Sequence, residues 1–239
     1  MQRSEGVQGR KRSSVRRKHD FQSSKSAIGV LDMQGGVCEH LDHLQRLGIN
    51  ARPVKHARDF EGLAGLILPG GESTCVARLL KIFAIEPVIV RKYRQGMKLW
   101  GTCAGAILLA GTLTGETPHL GLIDIEVERN GFGSQLDSFA CEALIPKISP
   151  EPVPLTFIRA PKILKAGKGV EILLRFDDFI AAAESPDVLV TVFHPELTGN
   201  LAFHRYFASK CGLQPDEGKR VRDPNWNITS WTRLARRMS

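Results

Sequence analysis

Short apolar runs alternate with amphipathic stretches along the first half of the chain. Five small or apolar residues at Ala27–Leu31, just ahead of a glycine pair, predict a buried strand and its turn. Leucines then recur at helical spacing over Val37–Leu47, which predicts a helix that ends before Gly48. The alternation continues with predicted strands at Ala51–Val54, Gly65–Leu68 and Lys98–Trp100 and predicted helices at Ser73–Lys81 (capped by Ser73), Ile85–Gln95 and Ala104–Ala110. This order predicts an α/β fold, with a mostly parallel central sheet and helices on both faces.

The second half of the chain has a different pattern, in which short strand-like runs follow one another with turn residues between them. A small antiparallel or mixed segment, appended to the main sheet, is predicted from the runs Gly121–Glu128, Ser138–Leu144, Leu155–Ile158, Val170–Arg175 and Phe179–Ala183. A last long apolar strand, Val188–Phe193, and a helix at Leu201–Cys211 complete the pattern. The predicted core is therefore one α/β domain over residues 27–211.

The net charge of the 239-residue chain, +8, is concentrated at its two ends. Residues 1–26 carry +6 and residues 212–239 carry +3, which leaves −1 for the core. Because residues 1–26 have few large apolar side chains, we expect a disordered basic extension there, and at 212–239 a basic tail that is peripheral to the core. Nucleic-acid binding through these ends is the alternative that the charge allows, although the near-neutral core makes it the less favoured one.

Other whole-chain features narrow the class of protein. No apolar run approaches the ~20 residues of a membrane-spanning helix, so we expect no membrane partner. The five cysteines are scattered and contain no C-x-x-C pair, which favours reduced thiols and a cytoplasmic location and gives no reason to expect a metal. Neither G-x-G-x-x-G nor G-x-x-x-x-G-K-[ST] is present, so no nucleotide cofactor is expected.

The segment Gly101-Thr-Cys-Ala-Gly105 joins a predicted strand to a predicted helix. A sharp turn of this kind lifts its central residue to the carboxyl edge of the sheet, and it needs small neighbours because the backbone is crowded. The following helix favours a thiolate at Cys103, and the N–H of Ala104 is placed to donate to an oxyanion. The segment predicts a cysteine nucleophile; a buried structural cysteine in a glycine-rich turn is the alternative.

His194-Pro-Glu196 follows the last long strand and supplies the groups that a cysteine nucleophile needs. Side chains two apart on an extended segment point the same way, so we expect His194 to act as base with Glu196 orienting it. The glycines of Pro69-Gly-Gly-Glu-Ser73 expose N–H groups suited to an anion or an oxyanion, or simply form a turn. Surface or packing positions are expected for the remaining histidines, His19, His40, His43, His56, His119 and His204.

These motifs, in this order, resemble those of class I glutamine amidotransferases and, more specifically, of the glutaminase subunits of pyridoxal 5′-phosphate synthase. The resemblance spans residues 27–211. It is carried by Ile28–Leu31 with Gln34-Gly35 and Glu39-His40, Leu66–Thr74, Gly101–Gly105, Glu128–Asn130 with Phe132–Gln135 and Asp137–Phe139, Phe157–Pro161 and Phe193–Leu197.

The resemblance implies hydrolysis of L-glutamine by a Cys-His-Glu triad, Cys103, His194 and Glu196. It further implies an oxyanion hole from Gly71 and Ala104. Glutamine would be bound by Gly71, Glu72, Ser73, Arg129, Ile158 and Arg159. Ammonia would pass to a separate synthase subunit that makes pyridoxal 5′-phosphate and that activates an otherwise weak glutaminase. A glutaminase serving another biosynthetic synthase, and a non-catalytic nucleic-acid-binding protein acting through the basic ends, are the alternatives.

Overall fold

A computed structural model describes residues 26–131, 138–176 and 178–216 of the chain. Almost all of the two predicted tails lies outside these ranges, so the predictions for the tails remain untested. The described part nevertheless continues to Asp216, five residues past the predicted core. The N–H of Leu213 donates to the carbonyl of Ala208 at 2.9 Å, and that of Asp216 donates to the carbonyl of Leu47 at 3.0 Å. The first residues of the predicted C-terminal tail therefore pack against the core.

The described residues form five α-helices and twelve strands. The helices are α1 (Val37–Arg46), α2 (Ser73–Ile82), α3 (Glu86–Arg94), α4 (Ala104–Leu109) and α5 (Ala202–Lys210). The strands are β1 (Ala27–Leu31), β2 (Ala51–Val54), β3 (Leu63–Leu68), β4 (Lys98–Thr102), β5 (Ala110–Leu113), β6 (Ile123–Glu128), β7 (Phe139–Ala143), β8 (Val153–Phe157), β9 (Lys162–Ala166), β10 (Glu171–Phe176), β11 (Phe179–Glu184) and β12 (Val188–Thr191).

One half of the large sheet is parallel, in the order β2-β1-β3-β4-β12. From β1 the chain moves outward to β2, and from β3 it moves in the opposite direction to β4. Since β-α-β crossovers are right-handed, α1 then lies on one face of the sheet and α2 and α3 on the other. In agreement with this, α1 contacts α5, and α2 contacts α4. The predicted parallel sheet with helices on both faces is confirmed.

The other half of the sheet is mixed. Strand β11 pairs antiparallel with β12, β10 and β9, and β6 pairs antiparallel with β9 and parallel with β5. Strands β7 and β8 form a separate antiparallel pair. The predicted antiparallel or mixed segment is therefore present, although it is divided between an extension of the main sheet and this hairpin.

Two strands of the mixed half were not predicted from the sequence. Strand β5 begins at Ala110, directly after α4 and with no breaker residue between them, so the helix predicted to reach Ala110 ends one residue earlier. Strand β9 has only five residues, Lys162–Ala166, and its two lysines flank an apolar pair without a period-two alternation, so it does not stand out from the loops beside it. Both strands form through pairing with β6, a tertiary contact that a local pattern does not contain.

Candidate active site

Cys103 lies at the turn between β4 and α4, with φ of 48°. Non-glycine residues rarely adopt this left-handed backbone, and it is typical of a nucleophile at a strand-to-helix elbow. The glycines on either side are required by space: a Cβ on Gly101 would lie 2.4 Å from the carbonyl carbon of Gly105, and one on Gly105 would lie 2.0 Å from the carbonyl oxygen of Leu68. The N–H of Cys103 donates to the carbonyl of Thr191 at 2.8 Å, which ties the elbow to β12.

His194 and Glu196 follow β12, the strand next to β4, so they reach the same edge of the sheet as Cys103. The Nδ1 atom of His194 and Oε1 of Glu196 are 2.7 Å apart. The expected contact is present, but the expected reason is wrong, because Pro195–Leu197 forms a 3₁₀ turn rather than an extended segment. The N–H of His194 donates to the carbonyl of Thr156 at 2.8 Å, so β8 also fixes the position of the ring.

The electrostatics of this pair favour a protonated histidine beside an ionised acid. Burial disfavours charge on His194, but the negative charge of Glu196 and hydrogen bonds to Cys103 and Glu196 outweigh it and raise the pKa of His194 well above its usual value. Burial likewise opposes ionisation of Glu196, but the charge of His194, the electrostatic effect of the nearby His40 ring and the hydrogen bond to His194 lower the pKa of Glu196 to about 2. Cys103 therefore shares a hydrogen bond with a ring that readily holds a proton.

Glycines in two loops let the backbone lie directly against these side chains. A Cβ on Gly70 would lie 2.3 Å from Cε1 of His194 and 3.2 Å from Cβ of Cys103. In the loop after β1, a Cβ on Gly36 would lie 3.0 Å from Oε1 of Glu196. The loop after β3, with Gly71 next in sequence, is thus held beside Cys103, and the loop after β1 covers Glu196.

Glu72 and Arg129, two of the predicted glutamine-binding residues, form an ion pair with 3.2 Å between Oε1 and Nη2. The Nη1 atom of Arg129 also donates to both carboxylate oxygens of Glu116, at 3.1 and 2.9 Å. Glu116 was not predicted from the sequence, and no local motif marks it. Because Arg129 lies between two carboxylates, its positive charge is already compensated before any ligand binds.

Glu72 also caps α2, a role that the sequence analysis gave to Ser73. Its carboxylate accepts from the N–H groups of Thr74 and Cys75 at 2.9 and 2.6 Å, while Ser73 is buried as the first residue of the helix. Burial raises the pKa of Glu72, but these two hydrogen bonds and the charge of Arg129 lower it overall. The prediction of Ser73 as the cap is wrong because the longer Glu72 side chain reaches both first-turn N–H groups.

For the other predicted site residues, Ala104, Ile158 and Arg159, the structure gives fewer contacts. Ala104 begins α4, where first-turn N–H groups have no partner within the helix. Ile158 and Arg159 follow β8, two and three residues after the carbonyl that binds His194, and Arg159 has φ of 44°. The N–H of Glu72 donates to the side-chain oxygen of Gln34 at 3.1 Å. The family-like segment Phe132–Asp137 lies outside the described residues.

A group of buried histidines packs next to Glu196. His40 and His43, from α1, and His204, from α5, are all fully buried. The Nδ1 atom of His40 is 2.8 Å from Nε2 of His204, and the rings of His43 and His204 stack with centroids 4.5 Å apart. They occupy buried packing positions, as expected, but the contact of His40 with Glu196, with 3.5 Å between Nε2 and Oε2, was not predicted from the sequence.

The described residues contain neither a metal-binding group of side chains nor a membrane-spanning helix. Among residues 26–131, 138–176 and 178–216, no three His, Cys, Asp or Glu side chains are arranged to hold a metal ion. Within the same ranges, no helix combines the length and the apolar composition needed to cross a bilayer.

Comparison with known proteins shows which family the chain belongs to. A model of the SNO glutamine amidotransferase family matches residues 30–213. The chain belongs to that family. The pyridoxal 5′-phosphate synthase subunit PdxT of Syntrophus aciditrophicus (strain SB) is 61% identical over 215 residues, covering 89% of this chain and 96% of that protein. This match is longer than the predicted 27–211 core, so part of the charged ends aligns with that relative.

Two further family relatives agree with the first. The subunit of the same name from Ruminiclostridium cellulolyticum is 47% identical over 184 residues, covering 76% of this chain and 97% of that protein. A crystal structure described as a glutamine amidotransferase superposes with a TM-score of 0.74 at 41% identity, covering 78% of this chain and all of that one. The resemblance stated from the sequence is confirmed, and so is the fold.

Proposed function

We propose that this family member hydrolyses L-glutamine to L-glutamate and ammonia, and that the ammonia serves the formation of pyridoxal 5′-phosphate. The hydrogen-bonded series Cys103, His194 and Glu196 at one edge of the sheet is the observation that carries the proposal. Family membership and relatives named as pyridoxal 5′-phosphate synthase subunits support the choice of glutamine and of the product that its nitrogen reaches.

In the proposed reaction, the sulfur of Cys103 attacks the side-chain amide carbon of glutamine. Its proton resides on His194, and the carbonyl oxygen becomes an oxyanion that the N–H groups of Gly71 and Ala104 stabilise. His194 then gives its proton to the leaving nitrogen, the C–N bond breaks, and ammonia departs from a glutamyl thioester. Water, deprotonated by His194, cleaves the thioester to release glutamate and restore the thiol. Glu196 keeps the His194 ring oriented throughout.

The other end of glutamine is assigned to the charged residues beside the elbow. An arginine is suited to bind the α-carboxylate, and Arg129 lies against Glu72, whose carboxylate is suited to the α-ammonium group. Ser73, Ile158 and Arg159 complete the proposed glutamine-binding set. Binding a zwitterion between Glu72 and Arg129 exchanges one ion pair for two, which keeps the charges compensated.

We assign the ammonia to a separate synthase subunit, and the five free thiols favour a reducing compartment such as the cytoplasm. A synthase of another pathway is the alternative partner. Nucleic-acid binding through residues 1–26 and 212–239 is a second alternative, and it predicts a steep loss of affinity with salt that deletion of both segments abolishes.

The proposal is tested by measuring glutamate released from glutamine by the purified chain, alone and with a pyridoxal 5′-phosphate synthase subunit. We expect low activity alone, marked stimulation by the partner, and loss of essentially all activity in Cys103→Ala. The matched control is Cys38→Ala, which removes an exposed thiol of α1 and leaves activity unchanged. An active Cys103→Ala variant contradicts the mechanism, and stimulation by an unrelated synthase instead contradicts the choice of partner.

A further inference from the structure

Only one carboxylate oxygen of Glu196 is used by the proposed triad. Its Oε1 is hydrogen-bonded to His194, whereas Oε2 is buried and has no conventional hydrogen bond among the described residues. The group that faces Oε2 is Nε2 of His40, at 3.5 Å, and both side chains are almost completely excluded from solvent. A buried carboxylate oxygen with no donor is costly, so the proton arrangement of His40 matters for Glu196.

The hydrogen-bond partners leave one consistent arrangement of protons on these neutral rings. Glu196 is ionised and can only accept, so Nε2 of His40 must carry the proton. The Nδ1 atom of His40 then has a free lone pair and accepts from Nε2–H of His204 at 2.8 Å. The opposite arrangement would put a bare nitrogen of His40 against the carboxylate. His204 thus fixes the tautomer of His40, and His40 presents an N–H to Glu196.

The surroundings of His40 keep its ring neutral. Burial lowers the pKa of His40 to about 4, with Glu196 opposing that shift and His43 and His194 adding to it. Burial also lowers the pKa of His204 well below its usual value, helped by His43, His40 and Arg46. The His40 ring also packs edge-to-face with the indole ring of Trp100. A neutral ring donates to Glu196 without competing with His194 for its negative charge.

The same Nε2–H of His40 also lies 3.4 Å from the hydroxyl oxygen of Thr102, the residue before the nucleophile. That oxygen accepts from the N–H of Gly70 at 3.0 Å. His40 therefore contacts the proposed acid directly and, through Thr102, is connected to the loop that precedes Gly71.

We propose that His40 is a positioning residue for glutamine hydrolysis, holding Glu196 through its second carboxylate oxygen so that Glu196 keeps His194 charged and oriented. The inference rests on the proposed function, because it assigns His40 a role in that reaction. His40 acts through Glu196 and touches no reacting atom.

Two substitutions separate this role from simple packing. The amide nitrogen of glutamine can take the place of Nε2, whereas that of asparagine takes the place of Nδ1 and does not reach Glu196. With the partner subunit present, we expect His40→Asn to lower kcat about tenfold with KM unchanged, because it removes the N–H that faces the charged Oε2 of Glu196. His40→Gln is expected to restore kcat to within about threefold of the parent chain.

The pH dependence of Cys103 alkylation by iodoacetamide gives a readout that needs neither glutamine nor a partner. The rate is followed by mass spectrometry on the peptide that holds Cys103, since Cys38 and Cys75 are exposed. We expect the pH midpoint to rise by about one unit in His40→Asn, because a Glu196 side chain that is no longer held in place stabilises the protonated His194 that accompanies the thiolate less well. His40→Gln is expected to keep the midpoint of the parent chain.

His43→Gln is the matched control, since it makes the same change one turn along α1 within the same buried cluster. Equal midpoints in His40→Asn and His40→Gln, or an equal shift in His43→Gln, would overturn the role of His40. Should His40→Asn fail to fold, ¹H–¹⁵N spectra of the unaltered chain decide the question, because a proton on Nδ1 of His40 contradicts it. A chain that alkylates as expected but leaves glutamine intact contradicts the proposed function and not the hydrogen bond.

Discussion

Two polar clusters lie on either side of Cys103, the proposed nucleophile, and they stabilise charge in different ways. The front cluster consists of Glu72, Glu116 and Arg129, whose side chains are 51%, 41% and 25% exposed. The back cluster consists of Glu196, His40 and His204, which are fully buried. The front cluster balances charge with opposite charge, whereas the back cluster surrounds a single carboxylate with imidazoles.

The difference follows from solvent. Exposed ion pairs are worth little because water and salt compete for both partners, so a charged ligand can replace either one at small cost. A buried carboxylate has no such replacement and depends on fixed donors. The front cluster is therefore suited to exchange partners with a substrate, and the back cluster is suited to remain unchanged through a reaction.

Removing the charge at the centre of the back cluster is expected to have the largest effect. Glu196→Gln keeps the shape of the side chain but removes the charge that raises the pKa of His194. We expect kcat to fall on the order of a thousandfold, about 4 kcal/mol in the barrier, by analogy with loss of the acid in other triads. Glutamate release at saturating glutamine, with the partner present, measures this. A loss of less than tenfold would show that Glu196 is not the orienting acid.

The back cluster also predicts how stability depends on pH. His40 has a lowered pKa in the folded chain, so the unfolded chain binds more protons and stability falls as the pH drops from about 6.5 towards 4. His40 alone accounts for about 3 kcal/mol over that interval. Glu196, whose pKa is about 2 in the folded chain, lowers the free energy of unfolding only below about pH 4.5. The raised pKa of His194 does not make the free energy of unfolding depend on pH below 6.5.

Urea unfolding at several pH values between 4 and 7 measures this dependence. His204→Gln removes one of the buried imidazoles but keeps an N–H donor, so we expect a shallower dependence than in the unaltered chain. Equal unfolding free energies at pH 4.5 and pH 7 would contradict neutral, buried imidazoles in the back cluster.

The front cluster is expected to give the smallest effect and the one most sensitive to salt. Arg129→Gln should raise KM for glutamine about tenfold while leaving kcat nearly unchanged, because it removes a contact made equally before and during the reaction. Added salt should reduce the difference from the unaltered chain. Arg91→Gln, the same change at an exposed position of α3, serves as the control. A fall in kcat without a change in KM would place Arg129 in the reaction rather than in binding.

The parts of the site that the sequence predicted are those with a local cause. The elbow at Cys103 can be predicted from the sequence because the close backbone contacts leave room only for glycine at positions 101 and 105. His194 and Glu196 are close in the chain, so their contact was predicted even though the local conformation was not. Strands β5 and β9 were missed because they form by pairing with strands distant in the pattern, β5 with β6 and β9 with both β6 and β11.

The back cluster was missed because its members are distant in the chain, with 164 positions between His40 and His204. One signal for it exists in the sequence. His40 lies in the same helical stripe as Val37 and Leu44, so a polar ring occupies a buried position of α1. What a single sequence does not contain is the neighbour that the ring meets there, since that depends on how α1, α5 and β12 pack.

The strand order also determines when an active enzyme can exist during synthesis. Among the strands of residues 26–216 that the structure describes, β12 is the last to be made, yet it inserts between β4 and β11 near the middle of the sheet. Until the ribosome has released residues 188–196, the edge of β4 is open and Cys103 has neither its proposed base nor its proposed acid beside it. A nascent or truncated chain therefore cannot consume glutamine, and its open edge makes it prone to aggregation. Completion of the fold and the start of catalysis coincide.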